Sequence, residues 1–416
     1  MKKIPASLIT FSFITISLNY GQMTPTEKGL QAITMNAIKA QLGFLASDWT
    51  EGRETGEKGE YLAADYIASM LQVFGVKPGG DYFQTKANEP DQMEYDRSYY
   101  QNFVLLKTIA GSEQIFKVKA DDGAMSKTVN FTSNVDFIIR PSDPGIEFEA
   151  PVVFAGYGYK NEKFNYNDFK KLDVKGKFIL KIAGIPKFIR DTVRTADLDS
   201  FNRKMESLYK ASGAIGIIEF NMQATVVGRP AQQVFMHMSP SEGPPVSGKP
   251  GARFSIPGKK LADNLIKIVV SVKAANEILK GTGIDPDEYI RKADVNEYFM
   301  IPPIYGRSIY LKTTVKTTQV AVRNVLGIIE GKSPDKIIVL GAHYDHMGMG
   351  NGYIWNGADD NASGTVGVMT LARAIMETGI KPESTIIIAL WTAEEEGFLG
   401  SRYYLENIPY PKNNRI

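Results

Sequence analysis

The chain has 416 residues, of which 43% are hydrophobic and 23% charged, as in a soluble globular protein long enough for two domains. Lysine and arginine outnumber aspartate and glutamate by 48 to 46, and no basic run stands out, so nucleic acid is not an expected partner. Cysteine is absent, which excludes disulfides, thiolate metal sites and a cysteine nucleophile. A transition metal would have to be held by His, Asp and Glu.

The N-terminus has the three-part pattern of a secretory signal peptide. Lys2 and Lys3 precede an apolar, uncharged stretch from Ile4 to Leu18, and small or turn-forming residues follow it. We predict a signal peptide over residues 1–21 and a mature protein that is periplasmic or secreted. A short buried N-terminal segment is the alternative. A membrane anchor is disfavoured because the apolar stretch is too short to span a bilayer.

The predicted elements change in character along the mature chain. A helix is predicted between Gly56 and Gly75, where apolar residues recur at three- and four-residue spacing, and a long loop over Asp81–Gln101. Short β-type runs follow from about residue 102 to 310, with a Pro- and Gly-rich surface loop over Arg229–Pro257. We predict a β-rich domain inserted into a second domain. The predicted parts are an N-terminal part (22–101), the inserted domain with its connecting strands (102–313) and a C-terminal part (314–416).

The last hundred residues predict a parallel sheet. Two short apolar runs, Lys336–Leu340 and Thr385–Leu390, flank a helical pattern that Gly379 closes. Strand, helix and strand in this order, with continuously apolar strands, are typical of a buried parallel sheet. The predicted fold class is therefore α/β, a mixed sheet with a parallel core flanked by helices, interrupted by the β-rich insertion. Such sheets bind ligands beyond the carboxyl ends of their strands.

Three polar clusters fall at this edge of the predicted sheet. One follows each strand and one precedes the helix: Gly341–His346, Thr392–Gly397 and Gly357–Gly364. Because the three lie on one edge, we expect them to converge in space. Imidazole and carboxylates without a thiolate suit zinc or another borderline divalent ion.

Geometry suggests different tasks for neighbouring side chains in these clusters. Adjacent residues of an extended segment point in opposite directions, so one of Glu394 and Glu395 can bind metal while the other handles protons. Asp345, two residues past His343, can reach back to the imidazole and fix its tautomer. His346 is interpreted as a pocket residue, since one strand exit rarely places two imidazoles on one metal.

Each cluster alone has a simpler explanation. A lone His after a strand is usually structural, three glutamates are usually a solvated helix start, and Asp-Asp-Asn can be a turn with Ser363 as the helix cap. Their joint occurrence on one edge favours a site. Serine hydrolysis is less well supported, because there is no Gly-x-Ser-x-Gly sequence and His237 lies in the predicted surface loop.

At these residues the sequence resembles the co-catalytic dizinc aminopeptidases, the superfamily that includes aminopeptidase Y and glutamate carboxypeptidase II. The matching strings are GAHYDHMG, NGADDNASG and TAEEEGFLGS. A further match nearer the N-terminus is FLASDWTEGR, which begins at Phe44. The middle of the chain resembles the protease-associated domain often inserted in this family. Its marks are VVFAGYGY from Val152, LDVKGKFIL from Leu172 and ASGAIGI from Ala211.

The resemblance implies a function and a role for each site residue. His343 would bind one zinc ion, Asp360 would bridge two, Glu395 would bind the other, and Glu394 would be the general base. The peptide bond between Asp360 and Asn361 would be cis. The implied reaction is hydrolysis of the first peptide bond of a peptide substrate at a two-zinc site.

The resemblance also implies two ligands that the sequence does not contain. The family completes its site with an aspartate and a histidine beyond the Glu-Glu pair, whereas this sequence ends at Ile416. The expectation is a fragment that is inactive alone. A receptor that has lost its metals is one alternative function, and a carboxypeptidase or deacylase with the same metal pair is another. Substrate choice is expected to depend partly on Tyr95, Tyr99 and Tyr100.

Overall fold

A computed structural model describes most of the chain. The predicted signal peptide and His237 lie outside the described residues. These are 23–85, 94–121, 123, 125–139, 145–170, 172–193, 204–222, 252–259, 265–297, 299–350 and 353–409.

Helices occur near both ends of the described chain and in its middle. Within the described residues, no helix is long and apolar enough to cross a membrane. The α-helices whose bounds are fully described are α1 (Pro25–Ala32), α2 (Met35–Leu45), α3 (Lys58–Val73), α4 (Lys187–Arg190), α5 (Val272–Leu279), α6 (Pro286–Ala293), α7 (Ser363–Glu377) and α8 (Leu399–Glu406). Short 3₁₀ helices lie at Asp48–Arg53 and Glu162–Phe164, and a π-helical turn lies at Ala358–Ala362.

Twelve of the strands form one mixed sheet, and short pairs stand apart from it. The strands in the first half are β1 (Lys77–Pro78), β2 (Tyr82–Thr85), β3 (Glu94–Arg97), β4 (Tyr100–Asp121), β5 (Ser126–Phe131), β6 (Phe137–Ile139), β7 (Glu147–Phe154), β8 (Lys160–Asn161) and β9 (Tyr166–Asn167). Those in the second half are β10 (Phe178–Ile182), β11 (Gly216–Phe220), β12 (Arg253–Ser255), β13 (Ile266–Val270), β14 (Arg307–Ile329), β15 (Ser333–His343), β16 (Met349–Gly350), β17 (Tyr353–Ile354) and β18 (Ser384–Trp391).

The predicted fold class is confirmed in the terminal part of the chain. β15 and β18 pair in parallel, from Ile337 opposite Thr385 to His343 opposite Trp391, and β18 pairs antiparallel with β14. Helices α3 and α7 pack on this sheet through an apolar core that we call the terminal core. Its members include Leu45, Ile67, Leu71, Val325, Val366, Met369 and Ile388.

The two parallel strands differ in burial. β18 is buried through its centre, as predicted, whereas Ile338 and Val339 of β15 are exposed. The described residues pair β15 only with β18, so the other edge of β15 has no neighbouring strand among them. Both strands were predicted to be buried on both faces. The prediction is correct for β18 and wrong for β15.

The predicted helix between Gly56 and Gly75 is α3. Its apolar face repeats at helical spacing, with Ala64, Ile67 and Leu71 buried in the terminal core. Gly75 has a φ of 77°, the left-handed conformation that ends many helices. The helix carries one fully buried acid, Glu60, on the side that faces the polar clusters.

A long two-stranded ribbon joins the terminal part to the middle of the chain. β4 has 22 residues and β14 has 23, and they pair antiparallel from Tyr100 opposite Val325 to Ala120 opposite Arg307. Both strands contribute apolar side chains to the middle of the chain at one end, and β14 contributes Val325 to the terminal core at the other. The ribbon thus spans both cores.

The middle of the chain has its own core, which we call the middle core. Strands β7, β10, β11 and β13 are parallel neighbours, and β6 closes one side in antiparallel pairing. Their apolar side chains pack against α5 and α6. The Arg229–Pro257 segment was predicted to be a loop throughout, but Arg253–Ser255 is strand β12, which pairs antiparallel with β4. The side chain of Phe254 in this strand is buried.

The prediction of a long loop over Asp81–Gln101 was also wrong. β2 and β3 form a hairpin there, with Tyr82 opposite Arg97, and the ribbon strand β4 starts at Tyr100. The Arg97 guanidinium lies 4.6 Å from the centre of the Tyr82 ring, an attraction that supports the pair. The segment lacks the alternation of a half-buried strand, which is why its sequence did not predict strands.

A buried carboxyl in the middle core accepts several hydrogen bonds. Tyr289 donates its hydroxyl to Asp168 Oδ1 at 2.6 Å, and the Tyr159 amide donates to Oδ2 at 3.0 Å. The Tyr166 and Tyr289 hydroxyls are 2.6 Å apart. Burial raises the pKa of Asp168 to about 6, although the hydrogen bond from Tyr289 and the charge of Lys181 oppose this rise.

This raised pKa predicts a pH-dependent stability. Between the unfolded pKa near 4 and the folded pKa near 6, the folded state binds the proton more tightly, so stability falls as pH rises. At about 1.4 kcal/mol per pKa unit, the free energy of unfolding should fall by on the order of 3 kcal/mol. In urea unfolding from pH 4 to pH 7, the wild type should lose more stability than Asp168→Asn by this amount, because other groups with a raised pKa, such as Glu60, affect both proteins alike. Exposed Asp173→Asn is the control, and parallel profiles of wild type and Asp168→Asn would contradict the prediction.

Candidate active site

His343 is the last residue of β15 and is held at both its backbone and its ring. Thr365 on α7 donates its hydroxyl to the His343 carbonyl at 2.8 Å. The ring atom Nδ1 lies 3.2 Å from the Asp345 carbonyl oxygen and 3.6 Å from Asp345 Oδ1. A proton on Nδ1 is therefore accepted by Asp345, and Nε2 keeps its lone pair for a ligand.

The free ring nitrogen of His343 points at carboxylates from both other clusters. Nε2 lies 3.1 Å from Asp360 Oδ1 and 3.5 Å from Glu394 Oε2. The three clusters predicted to converge thus meet at His343. The roles given to the individual side chains stay predictions.

Asp360 lies in the irregular turn that leads into α7. The peptide bond between Asp360 and Asn361 is cis, as the resemblance implied. The turn is entered through Gly357 with a φ of 52°, and a Cβ at this position would lie 2.4 Å from both the Asp360 carbonyl oxygen and His346 Cδ2. Only glycine fits there without displacing a cluster. Ser363 does not cap α7; the Asn361 side chain accepts the Gly364 amide at 3.0 Å.

Glu394 and Glu395 contact different histidines, His343 and His346, for a reason other than the one predicted. Their segment is not extended, because Ala393 has a φ of 50° and the Gly397 amide closes a turn onto the Glu394 carbonyl at 2.9 Å. The Asp345 carboxylate accepts the amides of Glu394 and Glu395 at 3.1 and 3.3 Å. Asp345 therefore holds the turn as well as the His343 ring.

His346 has a more specific place than the sequence indicated. Its Nδ1 lies 2.8 Å from Glu395 Oε1, so it orients that carboxylate. The described residues offer two overlapping groups whose ligand atoms lie within 4.8 Å of one another. One group is His343, Glu394 and Glu395, and the other is His346, Asp360 and Glu395.

These donor sets fit divalent zinc. They combine imidazole nitrogen with carboxylate oxygen, which zinc accepts in sites that keep a position open. Burial alone would lower the pKa of His343, but Asp345 and Glu394 raise it to about 9. A cation is thus favoured between the ring and the carboxylates, and a metal ion can take the place of the proton.

Glu394 differs electrostatically from a surface carboxyl. Burial raises its pKa above the usual value, His343 opposes that rise, and Glu395 adds to it. A carboxylate with a raised pKa is a better proton acceptor near neutral pH.

An outer layer of residues near the start of the chain supports these clusters and was missed in the sequence. Thr55 donates its hydroxyl to Asp345 Oδ2 at 3.2 Å. Glu60 accepts the Thr392 hydroxyl and, at 2.5 Å, the Gly56 amide. Burial raises the pKa of Glu60 to about 8, while the Thr392 hydrogen bond opposes this rise. Arg53 is wholly buried. The string FLASDWTEGR carried the resemblance here but did not indicate these contacts.

The tyrosines expected to choose substrate have structural partners. Tyr99 donates its hydroxyl to the Val76 carbonyl at 2.5 Å, and Tyr100 donates to Asp65 Oδ1 at 2.7 Å. The Arg323 guanidinium lies 4.1 Å from the centre of the Tyr100 ring. These contacts fix both rings against α3 and its end. The Tyr95 side chain lies outside what the structure describes.

Comparison with known proteins finds a family model and curated relatives that match part of the chain. Residues 324–416 match the model of peptidase family M28. Leucine aminopeptidase 2 of Trichophyton equinum is 38% identical over 85 residues, 20% of this chain and 16% of that protein. Aminopeptidase Y of Saccharomyces cerevisiae is 31% identical over 109 residues, 26% of this chain and 19% of that protein. The matched stretches thus span less than a fifth of these relatives.

Solved structures match over a longer stretch of the chain. An aminopeptidase from Aneurinibacillus sp. strain AM-1 is 16% identical and matches 94% of this chain and 69% of its own, with a TM-score of 0.48. A zinc aminopeptidase from Bacillus subtilis is 17% identical and matches 91% of this chain and 66% of its own, with a TM-score of 0.42.

Proposed function

We propose that the protein is a zinc-dependent exopeptidase, specifically an aminopeptidase, starting from the match of residues 324–416 to the model of peptidase family M28. It would hydrolyse the N-terminal peptide bond of peptide substrates. The observation that carries the proposal is the meeting of His343 Nε2 with Asp360 and Glu394, at 3.1 and 3.5 Å, where three separate chain segments come together. Aminopeptidases among the relatives favour this substrate end.

In this proposal His343, Asp360 and Glu395 would hold the zinc, and Asp360 would be the ligand common to two ions. Bound zinc supplies Lewis-acid polarisation of the scissile carbonyl. Glu394 accepts the proton of the attacking water and passes it to the leaving amine, the task its raised pKa suits. Asp345 keeps the His343 ring and the Glu394 turn in place through the contacts described above.

Metal removal tests this function. Dialysis of the full-length protein against a chelator should abolish release of an aminoacyl anilide product, and zinc should restore it. An N-acetylated anilide is the matched substrate control, because an aminopeptidase requires a free amino group. Equal cleavage of the blocked substrate would indicate a deacylase or endopeptidase. Absence of both zinc binding and hydrolysis would favour the receptor alternative.

We further propose export and the domain division predicted from the sequence, with the inserted segment as a protease-associated domain. The N-terminal pattern supports a signal peptide over residues 1–21. N-terminal sequencing of periplasmic or secreted protein should begin between Tyr20 and Thr24. An intact Met1 on exported protein would contradict the cleavage.

A further inference from the structure

Arg53 is a fully buried cation whose hydrogen bonds all go to backbone carbonyls. Its Nε donates to the Tyr344 carbonyl at 2.6 Å. Nη1 donates to the carbonyls of Leu45 and, at 2.8 Å, Asn356, and Nη2 donates to the Gly357 carbonyl at 2.9 Å. None of its side chain is exposed, so it cannot touch a substrate.

These carbonyls belong to the two loops that carry candidate metal ligands. Tyr344 directly follows His343, while Asn356 and Gly357 begin the turn that leads to Asp360. One rigid guanidinium fork therefore spans the strand exit and the turn, and ties both to the end of α2 at Leu45. A planar group with five fixed donors suits this task, and a lysine ammonium does not.

The backbone around Arg53 adds to the same connection. The His346 amide donates to the Arg53 carbonyl at 3.0 Å, and the Gly348 amide to the Gly52 carbonyl at 2.9 Å. Arg53 itself has a φ of 52°. The left-handed conformation is unfavourable for a residue with a Cβ, so the surrounding contacts must offset it.

The charge of Arg53 also acts on the site. Burial lowers the pKa of Arg53 to about 10, and the nearby carboxylates of Asp345, Asp360 and Glu395 oppose this change, so it stays cationic at neutral pH. A positive charge beside clustered carboxylates reduces their mutual repulsion. The carboxylates can then stay close together before a metal ion arrives.

We propose that Arg53 is a positioning residue that preforms the metal site by fixing the His343 loop and the Asp360 turn in their relative places. The proposal rests on the function proposed above and deepens it. Without Arg53, the two loops separate more readily in the metal-free protein. Part of the free energy of zinc binding is then used to order the loops, which lowers the zinc affinity. Outer groups that orient metal ligands typically contribute 10- to 100-fold to metal affinity.

The test compares Arg53→Met and Arg53→Lys with a matched control, Arg323→Met. Arg323 is another largely buried arginine of the terminal part, but its guanidinium bonds Asp65 and the Tyr61 carbonyl rather than the site loops. Zinc affinity is measured by chelator competition on the intact protein. We expect affinity roughly 10- to 100-fold weaker for Arg53→Met, an intermediate loss for Arg53→Lys, and wild-type affinity for Arg323→Met.

Amide hydrogen exchange in the metal-free protein gives a second readout. Exchange should rise over residues 344–361 in both Arg53 variants and stay at the wild-type level there in Arg323→Met. If Arg53→Met does not fold, zinc affinity and hydrogen exchange are compared with Arg53→Lys alone. This variant keeps the positive charge but lacks the planar guanidinium with its fixed donors. Wild-type zinc affinity and exchange in Arg53→Lys, or equal changes in Arg323→Met, would overturn the proposal. A full-length wild-type protein that binds no zinc and cleaves no aminoacyl anilide would instead overturn the proposed function.

Discussion

In the full-length protein, Glu394→Gln should lower kcat by roughly 10²- to 10⁴-fold while zinc content stays near that of the wild type. The amide keeps the size of the side chain but cannot accept a proton from water, and a positioned acid–base group typically contributes this factor. The Asp345 contact with residue 394 uses the backbone amide, so the substitution leaves the turn intact. Metal analysis and steady-state kinetics on an aminoacyl anilide measure the two effects separately.

Glu396→Gln is the control for this variant. Glu396 belongs to neither candidate metal group within the described part of the chain, although it shares the acidic run. We expect its kcat and zinc content to change little. A dominant loss in Glu396→Gln, or metal loss in Glu394→Gln equal to that of a ligand variant, would show that the role given to Glu394 is wrong.

Glu395→Gln should lose activity for a different reason, because it binds zinc more weakly. Glu395 is common to both candidate groups, and its carboxylate lies 2.8 Å from His346 Nδ1. Replacing a charged ligand should weaken zinc binding by more than the roughly 10- to 100-fold that outer partners contribute. Added zinc should then restore part of the activity, which it cannot do for Glu394→Gln.

His346→Gln helps to interpret that result. If His346 only orients Glu395, its zinc affinity should lie between those of the wild type and Glu395→Gln. Retention of full zinc content in Glu395→Gln at low free zinc would contradict the assignment of Glu395 as a ligand.

The positions of the site clusters could be predicted because they depend on local sequence and sheet geometry. His343 and Glu394 follow two apolar runs, and the carboxyl ends of parallel strands meet at one edge. The turn around Asp360 precedes a clearly periodic helix. In each case a short stretch of chain contains the whole signal.

The supporting residues could not be predicted because their partners are distant in sequence. Arg53 bonds Tyr344 across 291 positions, and Glu60 bonds Thr392 across 332. Neither local propensity nor periodicity reports such pairs. The left-handed Ala393 likewise has no local cue, which is why Glu394 and Glu395 were wrongly expected to lie on an extended segment. The hairpin of β2 and β3 was missed because its sequence lacks alternation.

The ribbon of β4 and β14 has a consequence for synthesis of the chain on the ribosome. Thr108 and Thr317, which share a hydrogen bond in the ribbon, are 209 residues apart. At 5–20 residues per second, β4 emerges roughly 10–40 s before the strand that will cover it. An uncovered strand edge of that length is an opportunity for pairing with other chains, and lysines are a common protection against it. β4 contains three lysines, Lys107, Lys117 and Lys119. The nascent strand therefore has this protection against pairing with other chains before β14 is synthesised.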